Sequence, residues 1–415
     1  MGLINPLIAI LISIACLIIF LYKRLNLGIA LTATAFVLAF LALDWATIPG
    51  VVYQTSIDLP TVSVTLATFG IMFLSQLYKE TGIINRLSES IGRLINNPKL
   101  VLYVVPAVIG LLPVSGGALM SAPLVDREAD KLKMTPDKKA YANLWFRHTI
   151  FPIYPLGPVM IATALLTGVS IPLIIMRQIP VVLAMITVGY VISFWKTPNA
   201  KNVETVVEKQ RGSDLKDFFI SFSPILMTIV VAVTLTSIGL KSMFTGFEVV
   251  IAILVGIVIM MAVSRMSFAI FRKPFKTWGI YGVTLAAYAA FLLRNVMDKA
   301  GISSIFSPMI SNGSIDIVLF LAVVPAALGL LTGAAQGGVA VTVSILSGFV
   351  TLPFAPKIAA LVYISSYLGY MVAPTHLCLT FTTDYFKCSL GRMYRYVLPS
   401  FLVTFPIAIL VYFLL

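Results

Sequence analysis

The sequence predicts an all-α polytopic membrane protein built from two inverted repeats, each with five transmembrane helices and one re-entrant hairpin. Three observations predict it. Hydrophobic residues make up 59% of the 415 residues and charged residues only 11%, against roughly 25% charged in ordinary soluble domains. Apolar runs recur from residue 6 to residue 415, many long enough for a bilayer core of about 30 Å, which takes roughly 20 residues of helix. Part of the chain also repeats itself at an offset of 219 residues. A β-barrel is excluded because the runs are continuous, where barrel strands would alternate over about ten residues.

Taken in order, runs suited to crossing fall at 6–22, 27–45, 60–79, 138–168, 171–195, 218–238, 247–264, 277–297, 355–386 and 393–415. The first begins without a basic stretch and ends in Tyr22, Lys23 and Arg24, so it reads as a retained membrane helix with a cytosolic end, not a cleaved signal. Two further segments, 100–125 and 316–350, are interrupted near their centres. They read as hairpins that enter and leave by the same face.

Charge supports this arrangement. With the Lys23 and Arg24 loop cytosolic and neither hairpin crossing, the loops at 80–99, 126–139, 196–217, 265–276 and 387–392 share that side and hold most of the Lys and Arg. The opposite side keeps little beyond Lys241, Lys299 and Lys357, as the positive-inside rule requires. Ten crossings then leave both termini outside a cell membrane. The formal charge of +13 is accounted for by loops beside anionic lipid, and no nucleic-acid partner is needed. Cys16, Cys378 and Cys388 lie in or beside apolar segments without metal-ligand spacing, so they read as packing residues, with no disulfide and no metal cluster.

The repeat pairs residues 104–113 (VVPAVIGLLP) with 323–332 (VVPAALGLLT). The same offset pairs Gly82 with Gly301, Pro155 with Pro374, Thr163 with Thr382 and Pro180 with Pro399. Chance aligns Leu and Val readily, but aligns Pro and Gly across several segments only with difficulty. The first repeat is read as 1–195, the charged stretch 196–217 as a cytosolic linker, and the second repeat as 218–415. Five crossings per half is an odd number, so the second copy inserts upside down, an architecture of secondary transporters.

Each half carries two interruptions. They are the hairpin tips at 113–117 and 332–338, and the breaks in runs 138–168 and 355–386, at 151–158 (FPIYPLGP) and 370–376 (YMVAPTH). Glycine allows a tight reversal, and proline removes an amide donor and divides a helix. Broken backbone is tolerated at membrane depth only inside protein or beside an aqueous cavity. Divided helices offer free amides to anions at their N-termini and free carbonyls to cations at their C-termini. Kinks and packing contacts are the plainer explanation for a lone proline such as Pro106; four symmetric breaks favour a site.

Candidate substrate-binding residues are therefore Ser115, Gly116, Gly117, Arg147, His148, Pro155, Gln336, Gly337, Gly338, Thr375 and His376. Arg147 stands about eight residues, thus about 12 Å of helix, beyond Lys139, and an arginine that deep is by default a functional hypothesis. His148 and His376 are the only histidines, and both sit at breaks. Arg294, near a helix end, reads as an interfacial anchor. Carbonyls and hydroxyls at Val114, Ser115, Tyr154, Ala335, Ala373 and Thr375 suit a coupling ion such as Na⁺. The broken segments hold no Asp or Glu, which disfavours a carboxylate proton relay, and the absence of a Walker loop or redox motif disfavours ATP-driven or redox chemistry.

With its two hairpins, two broken helices and internal repeat, the chain resembles the ion transporter superfamily of elevator-type carriers over nearly its whole length. That superfamily includes the divalent anion/sodium symporters, gluconate permeases and sodium/proton antiporters, and the chain looks closest to an uncharacterised prokaryotic integral membrane family within it. The resemblance implies a transport domain of hairpins and broken helices sliding against a scaffold that dimerises. Where the symporters carry Ser-Asn-Thr at each tip, this chain has Val114, Ser115, Gly116, Gly117 and Ala335, Gln336, Gly337, Gly338. The expectation is a secondary carrier of a small organic anion coupled to Na⁺ or H⁺, with no other cofactor and no enzymatic activity. The alternatives are a cation/proton antiporter of the same fold and an intramembrane enzyme or lipid-processing protein.

Overall fold

Helices begin where the sequence offers caps or prolines. Asn5, Asn26, Asp58, Asn97 and Asp316 each accept a hydrogen bond from a first-turn amide, satisfying groups that a helix start leaves unpaired. Pro136, Pro158 and Pro356 open helices as first residues, where a missing N–H costs nothing. The structure is a computed structural model that describes residues 4–113, 117–197, 211–238, 246–302, 308, 316–347, 350 and 352–415. These residues are helical throughout, with no strand among them.

In chain order the α-helices are α1 (Pro6–Tyr22), α2 (Leu27–Ala42), α3 (Ile48–Ile57), α4 (Leu59–Glu80), α5 (Ile83–Leu94), α6 (Pro98–Gly110), α7 (Ala118–Lys131), α8 (Pro136–Thr149), α9 (Pro158–Thr167) and α10 (Ile171–Phe194). They continue with α11 (Arg211–Ser237), α12 (Phe247–Ser264), α13 (Phe268–Arg272), α14 (Trp278–Lys299), α15 (Ile317–Thr332), α16 (Ala335–Leu346), α17 (Pro356–Met371), α18 (Leu377–Tyr385) and α19 (Leu390–Leu414).

Where ten crossings were expected, the described residues hold seven helical units long and apolar enough to cross a membrane. The differences have physical causes. α1 and α2, at 17 and 16 residues, stop at the Lys23–Arg24 turn and at Leu43, just below the 18 residues of the shortest of those seven. Run 355–386 divides into α17 and α18 because Pro374 cannot continue the ladder. α11 begins at Arg211, inside the stretch expected as linker, and Asp214 in its first turn accepts from Arg93 Nε of α5 at 2.6 Å.

The spans differ in what surrounds them. Within the chain, α4, the α8–α9 unit and α14 are buried over 72%, 67% and 61% of their most apolar windows. The corresponding values for α10, the helix Gly212–Ser237, α12 and α19 are only 22–33%, so those four present their apolar faces outward. Helix starts also recur at the offset seen in the sequence: Leu59 and Trp278, Pro98 and Ile317, Pro158 and Leu377, Ile171 and Leu390 each stand 219 apart. Packing repeats with them. α6 lies on α8 so closely that a side chain on Gly110 would occupy the Arg147 carbonyl oxygen, and α15 lies on α17 so closely that one on Gly329 would occupy that of Ser366. Only glycine allows that approach.

Candidate functional site

The two helix breaks face each other at the middle of this packing. α8 gives way to a short 3₁₀ turn at Phe151–Ile153 before α9 starts at Pro158. α17 ends at Met371, and α18 starts at Leu377. Carbonyls freed at the breaks are met by tyrosines. Tyr363 donates to Phe151 O at 3.1 Å, Tyr367 to His148 O at 2.9 Å and Tyr394 to Val372 O at 2.9 Å. The Phe151 and Tyr367 rings stack with centroids 5.9 Å apart, so aromatic packing fixes the spacing of the two breaks.

Between them lies a cavity of about 240 Å³, roughly eight waters at about 30 Å³ each. Its wall includes Gly110, Pro113, Arg147, His148, Phe151, Tyr367, Tyr370, His376 and Cys378, with the first two residues of α9 (Pro158, Val159), α16 (Ala335, Gln336) and α18 (Leu377, Cys378). Three helix N-termini thus open on one space, each bringing amides with no intrahelical acceptor and the positive end of a dipole. No Asp or Glu is among the lining residues.

Arg147 is 5% exposed. Its Nη2 donates to Leu112 O at 3.0 Å, while Nη1 is buried without a partner among the described residues. A side chain at Gly117 would collide with the guanidinium, so the glycine just before α7 makes room for it. In α7, Ser121 donates to Asn143 Oδ1 at 2.6 Å, and Asn143 Nδ2 donates to Ala118 O at 2.9 Å, locking α7 onto α8. Gln336 Nε2 is likewise buried without a partner, and Ser366 holds the start of α16 by donating to Ala335 O at 2.7 Å. His148 and His376 meet ring to ring at 4.8 Å between centroids. His148 Nδ1 lies 2.7 Å from Leu144 O, and His376 Nε2 lies 2.7 Å from Tyr370 Oη.

Of the residues expected to bind substrate, Arg147, His148, Gln336 and His376 meet at this cavity, with Gly117 beside the guanidinium. Gly337 and Gly338 follow in the first turn of α16, where Gly338 packs on Ser366. Pro155 is half-buried in the break, and Thr375 is exposed and lies against Gly333, which lines the cavity. Among the coupling-ion candidates, Ala335 lines the cavity, Ala373 is fully buried, and Tyr154 is buried with its hydroxyl unpartnered. Val114, Ser115 and Gly116 lie outside the described residues.

Cys378 packs against the hydrophobic core, and it also has neighbours that its sequence position does not show: donor atoms of His148, His376 and Cys378 lie within 4.8 Å of one another. The sequence hides this because His148 is far away in the chain; the only local signal is the His376-x-Cys378 spacing. Arg294 stands in the C-terminal part of α14. Its side chain is 16% exposed, pairs with Asp298 at 3.6 Å and donates to Leu166 O at 3.3 Å, bracing the C-terminus of α9 from within. Tyr367 and Tyr370 were also missed, since tyrosines are common in membrane helices and nothing local marks these two.

Residues 5–415 match the model of a protein family described as protein of unknown function (DUF401). None of the curated proteins compared with the chain matches it. Among solved structures, the crystal structure of the YdaH transporter of Alcanivorax borkumensis, described as having an unusual topology, is similar in fold. It gives a TM-score of 0.61 at 14% identity, over 89% of this chain and 86% of that one.

Proposed function

The chain belongs to the DUF401 family of proteins of unknown function, and on that premise we propose, from its own cavity, that it is a membrane transporter of a small organic anion. The observation that carries this reading is the convergence of two buried donors without a hydrogen-bond partner among the described residues, Arg147 Nη1 and Gln336 Nε2, on a cavity without carboxylates. A buried donor without a partner is costly, and an uncompensated buried guanidinium more so. A carboxylate or phosphate bound there satisfies both, and the N-termini of α9, α16 and α18 add further positive potential. The fold shared with a protein described as a transporter supports carriage over catalysis.

The finer reading follows the repeat. Helix starts that recur every 219 residues support two inverted halves, with 98–131 and 317–346 as re-entrant hairpins. The buried α8–α9 and α17–α18 units with these hairpins form a mobile body, and outward-facing helices form a scaffold that pairs two copies. Transport is secondary, driven by Na⁺ or H⁺, with both termini outside the cell membrane. A cation/proton antiporter is less well supported, because the buried Glu248 carboxylate lines a different pocket, with Ser170 and Thr236.

Reconstituted protein tests the proposal. Liposomes carrying the wild-type chain should accumulate mono- or dicarboxylates under an imposed Na⁺ or H⁺ gradient, and Arg147→Ala should not. Uptake by a folded Arg147→Ala protein equal to wild type would remove the guanidinium from the site.

A further inference from the structure

We propose that His148, His376 and Cys378 form a binding site for a thiophilic transition metal of the Zn²⁺ class, with one coordination position left open to the cavity. His148 lies in the last turn of α8, His376 caps α18 and Cys378 stands in the first turn of α18, so the meeting of the two breaks assembles the three donors. One ligand atom from each lies within 4.8 Å of the others. In a tetrahedral site with bonds of about 2.0–2.3 Å, donors stand about 3.4–3.8 Å apart. Closing the remaining gap of about 1 Å takes only side-chain rotation toward the cavity.

The donors are prepared for a metal. The Leu144 carbonyl 2.7 Å from His148 Nδ1 holds that nitrogen's proton and leaves Nε2 as a free lone pair. His376 Nε2 faces Tyr370 Oη at 2.7 Å, and its buried Nδ1 lies toward the Met371 main chain without a close hydrogen bond. Metal-binding histidines are oriented in this way, with the second ring nitrogen donating to an oxygen. The Cys378 side chain lies against the Arg147 guanidinium. On binding M²⁺ the Cys378 S–H bond breaks and an S–metal bond forms, the proton passing to solvent.

The donor set also selects the ion. Two imidazoles and a thiolate suit Zn²⁺, Co²⁺ or copper, whereas Mg²⁺ and Ca²⁺ require oxygen ligands, and no carboxylate lines this cavity. The inference does not depend on the anion reading, since binding is measured with no anion substrate present.

Co²⁺ alone is the probe, titrated into purified full-length protein freed of any affinity tag. One equivalent should bind, giving the visible bands of a four-coordinate centre and a thiolate-to-cobalt charge-transfer band in the near ultraviolet, both erased by Zn²⁺. Cys378→Ser should lose the charge-transfer band, and His148→Gln or His376→Gln should weaken binding about tenfold or more. The chain has three cysteines, so the double variant Cys16→Ser/Cys388→Ser leaves Cys378 as the one thiol and should keep the full spectrum. That variant decides the matter even if Cys378→Ser does not fold. Absence of a thiolate band from wild type or from the double variant, or its persistence in Cys378→Ser, would overturn the proposal.

Discussion

Tyr367 donates its hydroxyl to the main-chain carbonyl of His148 at 2.9 Å, and the two residues stand 219 positions apart, the offset of the sequence repeat. Equivalent places in the two halves are therefore bonded to each other. The break after α8 takes away the amide that would have served that carbonyl, and the intact turn of α17 supplies a hydroxyl instead. Tyr363 adds a hydroxyl to Phe151 O, which also accepts from the Tyr154 amide at 3.1 Å.

Tyr367→Phe should consequently lower the melting temperature of the purified protein. Hydrogen bonds inside membrane proteins average about 0.6 kcal/mol and reach about 1.7 kcal/mol, and a buried carbonyl left unpaired belongs toward the upper end. Tyr288→Phe is the control. Its hydroxyl bonds the Ser56 hydroxyl at 2.9 Å, a pair that serves no main-chain carbonyl at a break, and its loss should cost less. Equal effects from the two would show that the break carbonyl is not held by Tyr367.

Gly110 and Gly329 should be intolerant in parallel. A methyl group at either would overlap a main-chain carbonyl oxygen, of Arg147 or of Ser366, and main chain cannot rotate aside. Overpacking of this kind costs about 1–3 kcal/mol. Gly50→Ala, in α3 with nothing within 4 Å of the added carbon, should be neutral or stabilising by up to about 1 kcal/mol. Thermal denaturation of the three variants makes the comparison.

Much of this was legible in the sequence, for identifiable reasons. Proline and glycine act locally, so the breaks near Pro152–Pro158 and Pro374 could be placed from the chain alone, as could the offset that relates them. Charge is also local, and an arginine as deep as Arg147 announces itself. Pairings between distant segments leave no local trace. Nothing near Cys378 points to His148, and nothing near Tyr367 shows that its hydroxyl caps the other break. The first apolar run, 6–22, coincides with α1, and the second outlasts α2 by three residues, because hydropathy measures apolar content without showing where a helix turns.

Arg147 should prove essential by charge and by shape. Removing one member of a buried, hydrogen-bonded charge pair costs about 2 kcal/mol or more, so Arg147→Ala should weaken anion binding by about 30-fold or more. Arg147→Lys keeps the charge but cannot serve Leu112 O and an anion together from one planar group, and should fall between the two. The stabilisation that an added carboxylate gives in thermal denaturation measures this directly. If Arg147→Lys matched wild type, charge alone would be sufficient.

Gln336 separates function from stability most sharply. Its Nε2 is buried, faces the cavity and has no partner among the described residues, so in the empty protein the amide carries the cost of an unmet donor, about 1–3 kcal/mol. Gln336→Leu keeps much of the volume and removes that donor. The variant should melt higher than wild type without ligand, by about 1 kcal/mol, and yet be stabilised less when a carboxylate is added, its affinity reduced about tenfold. A residue kept for packing would behave in the opposite way, losing stability with no specific loss of ligand response. Opposite signs in the two measurements are what a binding site maintained at the expense of stability produces. Were Gln336→Leu to melt lower and bind as before, the unpaired amide would belong to the packing of α16 and not to the anion.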